Sequence, residues 1–488
     1  MTKRCAAVLV GLLTIAEALE AQRTRVAIRG GRFTVNGNPT YTAAQGFPNA
    51  DEKLAGVLLN VRAVQAAFED SHYPSRGGRR SPYSTNVMGP VWFDYPDGPF
   101  DPERNTNEFL DALPTWRRHG LLAFTINLQG GGPVDGNYGE NAPMQPHLNT
   151  AFGPDGALRP GYLARVRRIL AKADDLGMIV IVGLFYQGQN ARVEELPGDG
   201  GIRRGIVEAV RWLKGLPYRN VLIEIQNEVG VRVYRHRLLQ PAGAAEAIEI
   251  ARKEAAGDFP VSVSWVSSAR DERALRAADY LLFHTNGRTP EQVHEEIASM
   301  RRLGGFDKPL LINEDGVSTF NLQAAANERV GWGFYDQGTN NYLDGFQSPP
   351  VNWRIGSLVK WLFFDQVARW TGSPVPERPA YENPEAPVVE VEGLVDGQTL
   401  RDPVWIEALV KDRHPRWPIK RVEFFVDGKP FSYRNRAPYL LGNVEFWDPR
   451  ILAPGEHVLR VVAFDMRGPR FSETAGMIEI RFKVEKPR

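Results

Sequence analysis

Two stretches of this chain place carboxylates where they could work as a pair. The first is Arg219-Asn220-Val221-Leu222-Ile223-Glu224-Ile225-Gln226-Asn227-Glu228-Val229-Gly230. It is an apolar, β-branched run that ends in Asn227-Glu228, the pattern of a buried parallel strand with polar groups at its C-terminal end. Strand alternation puts Glu224, Gln226 and Glu228 on one side. The second is Lys308-Pro309-Leu310-Leu311-Ile312-Asn313-Glu314-Asp315-Gly316, which also runs apolar and then delivers a glutamate. Two glutamates at two strand ends are what hydrolysis of a glycosidic bond with retention requires: one acid/base and one nucleophile. An Asn-Glu dipeptide alone is a weak signal, so the weight falls on the scaffold.

That scaffold reads as eight strands alternating with helices. Strands are expected at 57–68, 121–128, 178–186, 221–226, 260–266, 280–284, 309–313 and 331–335. Helices are expected at 106–119, 160–176, 202–213, 244–256, 272–278, 290–303, 322–329 and 357–370. Eight such repeats over about 320 residues are the pattern of an α/β protein, a (β/α)8 TIM barrel. The competing architecture is a doubly wound open sheet, but no Gly-x-Gly-x-x-Gly or phosphate loop follows a strand. A small hairpin within 25–41, with turns at Gly30-Gly31 and Asn36-Gly37, is expected to cap the bottom of the barrel.

In a barrel the active site lies at the C-terminal strand ends. The first strand offers Arg62, deep in the barrel. The second offers Asn127 and Gln129, the third Tyr186 and Gln187, the fourth Asn227 and Glu228. The sixth offers His284 and Asn286, the seventh Glu314, the eighth Trp332, Tyr335 and Asp336. Amide, imidazole, phenol and carboxylate groups suit a hydroxyl-rich ligand. Each also has a plainer role: a lone histidine on a strand is often a satisfied structural group, and Trp332 fits a core as well as a cleft. Histidines and acids show no compact metal-ligand spacing, so neither a metal nor another cofactor is expected.

The 488 residues carry 59 Lys and Arg against 58 Asp and Glu, a net charge of +1 that points to neither nucleic acid nor an anionic membrane. Lys3 and Arg4 precede an apolar run too short to span a bilayer comfortably, and Ala16-Glu17-Ala18 fits a cleavage site. Residues 1–21 therefore read as a signal peptide and the mature chain as secreted, periplasmic or displayed at the cell surface, without a transmembrane segment. Cys5, the one cysteine, would leave with that peptide. The barrel is expected over 22–372, a proline-rich linker over 373–387 and a small all-β immunoglobulin-like sandwich over 388–488. The linker implies a barrel that folds by itself. Oligomeric state has no signature in the sequence.

The Asn227-Glu228 and Glu314 strand ends together resemble clan A of the glycoside hydrolases, nearest in texture to the family 5, cellulase-like barrels. The matching segments are Glu224-Ile225-Gln226-Asn227-Glu228 and Leu311-Ile312-Asn313-Glu314-Asp315-Gly316, with His284 and Trp332 fitting more loosely. The resemblance implies a retaining β-glycosidase acting on poly- or oligosaccharide. It implies Glu228 as acid/base, Glu314 as nucleophile and Asn227 on the sugar 2-hydroxyl, with a carbohydrate as the partner. Two departures stand out: Val229 follows Glu228 where that family usually has proline, and Tyr186-Gln187 ends the third strand without the expected histidine. The C-terminal segment resembles bacterial immunoglobulin-like modules of secreted hydrolases. The alternatives are a non-catalytic carbohydrate-binding barrel, a cell-surface glycan-binding protein, and a lyase or transglycosylase on the same fold.

Overall fold

The structure, a computed structural model, describes residues 23–71, 95–130, 148–190, 196, 198–231, 234–266, 270–305, 307–336, 345–347, 349–378, 386–413, 419–442, 446–466 and 473–485. The proposed signal peptide, residues 72–94 and the middle of the linker lie outside these residues.

Three short strands open the chain: β1 (Val26–Arg29), β2 (Arg32–Val35) and β3 (Asn38–Pro39). The Val26 amide bonds the Arg219 carbonyl, just before the fourth barrel strand begins, so this sheet closes the bottom of the barrel as expected. The hairpin has one strand more than expected, Asn38–Pro39, which pairs with β2.

The barrel follows. Its strands are β4 (Leu59–Arg62), β5 (Ala123–Asn127), β6 (Ile179–Phe185), β7 (Val221–Gln226), β8 (Val261–Ser262), β9 (Ser264–Trp265), β10 (Leu281–His284), β11 (Leu310–Glu314) and β12 (Gly331–Phe334). Every pairing among them is parallel, and β12 returns to β4. The sheet order runs β8-β7-β6-β5-β4-β12-β11-β10-β9. The fifth strand is interrupted at Val263: its first half pairs with β7 and its second with β10. Counting β8 and β9 as one strand gives eight, and the fold is a (β/α)8 TIM barrel.

The helices are α1 (Pro102–Arg118), α2 (Pro160–Asp175), the single turn α3 (Gln187–Asn190), α4 (Gly198–Gly215), α5 (Pro241–Ala255), α6 (Glu272–Ala277), α7 (Pro290–Gly304), α8 (Thr319–Asn327) and α9 (Leu358–Thr371). Proline at the first turn and a side-chain cap fix several starts: Asp101 accepts from the Glu103 amide before α1, and Thr289 forms a capping box with Gln292 before α7. Caps explain why α1 begins ahead of the expected 106. The first strand is shorter than the expected 57–68. Residues 63–68 are buried, but their amides bond within local turns, Ala63 to Val61 and Ala66 to Ala63, and leave the sheet.

Beyond α9 the chain is all-β. Strands β13 (Val388–Glu392), β15 (Glu407–Lys411) and β18 (Tyr439–Leu440) form one sheet. Strands β14 (Gln398–Leu400), β20 (Glu473–Val484), β19 (Gly455–Met466), β16 (Ile419–Val426) and β17 (Lys429–Arg434) form the other, in that order. The two sheets enclose their own apolar core around Val422, Phe424, Trp447, Leu459 and Phe482, which makes a β-sandwich. The sandwich does not hang free: Phe425, Val462, Phe464 and Ala475 belong to the same continuous apolar cluster as the barrel.

Candidate active site

The top of the barrel is polar where such barrels ordinarily carry branched apolar side chains. Asn60, Arg62, Thr125, Asn127, Glu224, Ser262 and Asn313 are all buried. Arg62 at the end of β4 is the hub. Its Nε lies 3.1 Å from Glu314 Oε2, its Nη1 3.6 Å from Glu224 Oε2, and its Nη2 donates to Asn227 Oδ1 at 3.0 Å. Burial works against the guanidinium charge, but Glu314 and then Glu224 outweigh it and hold the proton on. Asn313 Nδ2 donates to Glu224 Oε2 at 3.0 Å, so Glu224 is a buried anchor, as its depth in the strand implies.

Glu314 reaches the cleft through a bulge. Along the β10–β11 pair, Phe283 faces Ile312 but His284 faces Glu314, so Asn313 is an extra residue. A bulge re-aims a side chain beside it. Asn313 and Glu314 consequently both turn inward, one to Glu224 and the other to Arg62. Asn286 Nδ2 donates to Glu314 Oε1 at 3.1 Å. Burial pushes the Glu314 carboxyl above its ordinary range, against the pull of His284 and Arg62.

Glu228 sits just past β7 with φ of 57°, in the left-handed region. That conformation costs a non-glycine residue about 1–2 kcal/mol, and such residues gather at functional sites. Ser264, behind the break in the fifth strand, holds it there: its Oγ accepts from the Glu228 amide at 2.9 Å, and its carbonyl accepts from the Val229 amide at 2.8 Å. The Glu228 carboxylate accepts from Gln187 Nε2 at 2.6 Å through Oε2, and its Oε1 lies 3.2 Å from His284 Nδ1. The same imidazole nitrogen is 3.6 Å from Glu314 Oε2. Burial opposes a charged imidazole at His284, yet Glu314 and Glu228 together raise its pKa. Glu228, with 17% of its side chain exposed, faces the opening, while Glu314, at 7%, lies deeper.

Among the other expected site residues, Tyr335 is buried, and burial followed by the Glu314 charge pushes its phenol well up, leaving it a hydrogen-bond donor. Tyr186 is half-buried at the end of β6, where its amide donates to Gln129 Oε1 at 3.3 Å. Asn127 lies over Gly183, where a Cβ would stand 2.2 Å from its Oδ1; only glycine leaves that space. Gln187, expected to bind substrate, is bonded to Glu228 and Asn227, and Asn286 to Glu314. Asp336 is buried just past β12.

Trp332 is not brought to the cleft. On β12 the glycines face the barrel interior, since a Cβ on Gly333 would meet Asn60 Nδ2 at 2.5 Å. Trp332 therefore faces the helices, where it packs on Phe363 and donates to Asp315 Oδ2 at 3.0 Å. Asp315, next to Glu314, turns the same way and also accepts from Thr285 and Asn321.

The fold brings together groups that show no metal-ligand spacing along the chain. Glu228, His284 and Glu314 are far apart in sequence, but each offers a ligand atom and these atoms lie within 4.8 Å of one another. The surroundings compete for the same oxygens. Arg62 lies against Glu314 Oε2, Asn286 donates to its Oε1, and Gln187 donates to Glu228 Oε2. A guanidinium beside the cluster suits anionic carboxylates more than a cation held among them.

No family model matches this chain, and no curated protein matches it. Among solved structures, the endo-beta-1,4-mannanase from Thermotoga petrophila is 14% identical, with a TM-score of 0.40 over 78% of this chain and 95% of that one. The beta-glucuronidase of Bacteroides uniformis is 13% identical, with a TM-score of 0.39 over 95% of this chain and 48% of that one. The endo-1,4-beta-mannanase from Rhizomucor miehei is 14% identical, with a TM-score of 0.40 over 64% and 90%.

Proposed function

We propose that this protein is a retaining β-glycosidase of the clan A type, nearest to family 5, acting on a β-linked poly- or oligosaccharide. One observation carries the reading: Glu228 and Glu314, at the ends of the fourth and seventh strands, have carboxylate oxygens within 4.8 Å of each other. Retaining pairs stand about 5–5.5 Å apart, whereas inverting pairs leave roughly 6.5–9.5 Å for a water. Glu314, between Arg62 and Asn286, attacks the anomeric carbon. Glu228, nearer the opening, protonates the departing oxygen. It then takes a proton from the water that cleaves the glycosyl–Glu314 ester, so that sugar hemiacetal and free Glu314 are restored. Asn227, Tyr186, Tyr335, Asn127, Gln129 and Asp336 line the sugar's surroundings, with the 2-hydroxyl at Asn227. Export through residues 1–21 and an immunoglobulin-like identity for the sandwich belong to the same proposal. Edman sequencing of the secreted protein should then begin at Leu19 or Gln22.

The test is azide rescue on an aryl glycoside with a good leaving group. Glu314→Ala should lose turnover, and azide should give the glycosyl azide of inverted configuration. Glu228→Ala should accumulate the glycosyl-enzyme, and azide should release product of retained configuration. The same stereochemistry in both variants, or wild-type turnover of a natural glycan by either, would refute the assignment. A carbohydrate-binding barrel without catalysis would show binding but no aryl glycoside turnover in the wild type.

A further inference from the structure

Gln187 stands at a strand end where it was expected to meet sugar, but its amide is committed at both ends. Asn227 Nδ2 donates to Gln187 Oε1 at 3.1 Å, and Gln187 Nε2 donates to Glu228 Oε2 at 2.6 Å. Arg62 Nη2 donates to Asn227 Oδ1 at 3.0 Å. A guanidinium has donors only. It therefore dictates the direction of everything beyond it: the Asn227 oxygen must face Arg62, its nitrogen must face Gln187, and the Gln187 nitrogen must face Glu228. Neither amide can be flipped without setting oxygen against oxygen or donor against donor. Gln187 is buried, so water does not relax this order.

We propose that Gln187 is the positioning residue that decides which oxygen of Glu228 carries the catalytic proton. This rests on the reading of Glu228 as acid/base. Oε2 meets a permanent N–H donor and serves only as an acceptor. The proton therefore resides on Oε1, whose neighbour at 3.2 Å, His284 Nδ1, accepts it in the tautomer that carries the ring hydrogen on Nε2. Arg62 anchors both halves of the pair, since its Nε also lies 3.1 Å from Glu314 Oε2. The direction of proton delivery is thus set from the group that grips the nucleophile, through two amides. The third-strand glutamine, in place of the histidine that the family pattern led one to expect, supplies an orienting group that does not itself change charge with pH.

The ionisable groups around Glu228 come from several elements. They are His284 on β10, Glu314 on β11, Arg62 on β4, Tyr186 after β6, Tyr335 after β12, Glu224 deeper on β7, and Tyr234, whose hydroxyl bonds the Asn227 carbonyl. None of these is altered by changing Gln187, so a change in the pH profile reports on the amide.

The experiment compares wild type, Gln187→Met and Gln187→Glu. Kinetics use aryl glycosides with good and poor leaving groups across pH. A hydrogen bond to a charged group is worth about one pH unit, so Gln187→Met should move the basic limb of kcat/KM upward by roughly that amount. Turnover of the poor leaving group should fall about tenfold more than that of the good one, because only the former needs the proton. KM should stay within about twofold, since the proposal gives Gln187 no sugar contact. Gln187→Glu preserves shape and covers the case in which the methionine variant misfolds. Its introduced carboxyl would share a proton with Glu228 and move the same limb further. A raised KM with an unmoved basic limb in both variants would overturn the proposal and return Gln187 to substrate binding. A carbon-13 titration of the Glu228 carboxyl in wild type and variant reads the amide without turnover. An upward midpoint supports the relay even if no glycoside is cleaved, and an unmoved midpoint rejects it even if one is.

Discussion

Replacing Arg62 with methionine removes one cation that serves two buried carboxylates. The side chains of Arg62 and Glu224 are 1% exposed and that of Glu314 is 7% exposed, so water does not substitute. Taking one partner from a buried ion pair costs about 3–5 kcal/mol, chiefly because an uncompensated charge stays behind. Asn313 and Asn286 still donate to the two carboxylates and keep the loss toward the lower figure. His284 softens it further: Arg62 depresses that imidazole, so its removal lets His284 charge more readily beside Glu314.

The pH dependence carries the sharper information. The folded pKa of Glu314 already lies above its ordinary 4.5, and burial is the first cause. A carboxyl of this kind binds more protons folded than unfolded, so stability falls as pH rises from the unfolded value through the folded one. Without Arg62 the folded value climbs and the window extends upward. Arg62→Met should therefore be much less stable than wild type at about pH 8 and closer to it at about pH 5, as read by urea melts. Its acid limb of kcat/KM should move upward, because the nucleophile role proposed for Glu314 requires it ionised. Turnover of an aryl glycoside should fall roughly 10- to 150-fold, the equivalent of a 1.5–3 kcal/mol charge-assisted bond. Equal destabilisation at both pH values, or an unmoved acid limb, would show that Arg62 does not compensate these carboxylates.

Two further outcomes follow from the same structure. Burial pushes Asp315 up to about 6 despite donors from Thr285, Asn321 and Trp332, so its ionisation is destabilising above that value and is relieved as pH falls toward 3.8; Asp315→Asn should flatten the stability profile between those limits, and an unchanged profile in urea melts would contradict this. A chain ending at Trp370 should melt well below the full protein or aggregate, at about 1.5–3 kcal/mol for each large apolar side chain uncovered; a truncated barrel that melts with the full protein would show the interface to be energetically idle.

Much of the barrel was legible because its signals are local. Apolar runs and helical periods recur in alternation, and each strand of the sheet was placed within a few residues except the first, which was expected to run on to 68 and ends at Arg62. The two glutamates were legible because they end such runs. What escaped depended on single-residue parity and on backbone offsets. Trp332 and Tyr335 stand three apart, so alternation separates them; counting from the small residues Gly331 and Gly333 would have sent Trp332 outward. Glu314 escapes strict alternation through the bulge at Asn313, which no composition signal marks. The nearness of Glu228, His284 and Glu314 arises from strand order, so a search for ligand spacing along the chain could not find it. Gln187 looked like a sugar ligand because its partners come from other strands.

A proline-rich segment reports the stiffness of the chain between two units, not the surface those units share. The sandwich meets the barrel beside the strand that carries Glu314. Ser318, which precedes α8 and follows Glu314 by four residues, donates to Glu423 Oε1 at 2.9 Å, and Arg421 Nε donates to the same oxygen at 2.6 Å. Phe320 packs on Phe425 and Tyr433, and the Tyr433 hydroxyl donates to Glu291 Oε2 at 3.0 Å, at the start of α7. The loops so gripped are those after β10 and β11, which carry Asn286 and the residues behind Glu314. The Arg421–Glu423 pair is buried within this contact, and a buried pair is costly unless its geometry is held. Sliding the sandwich along the barrel would break that geometry, so the sandwich and the loops behind Glu314 are held in register with each other.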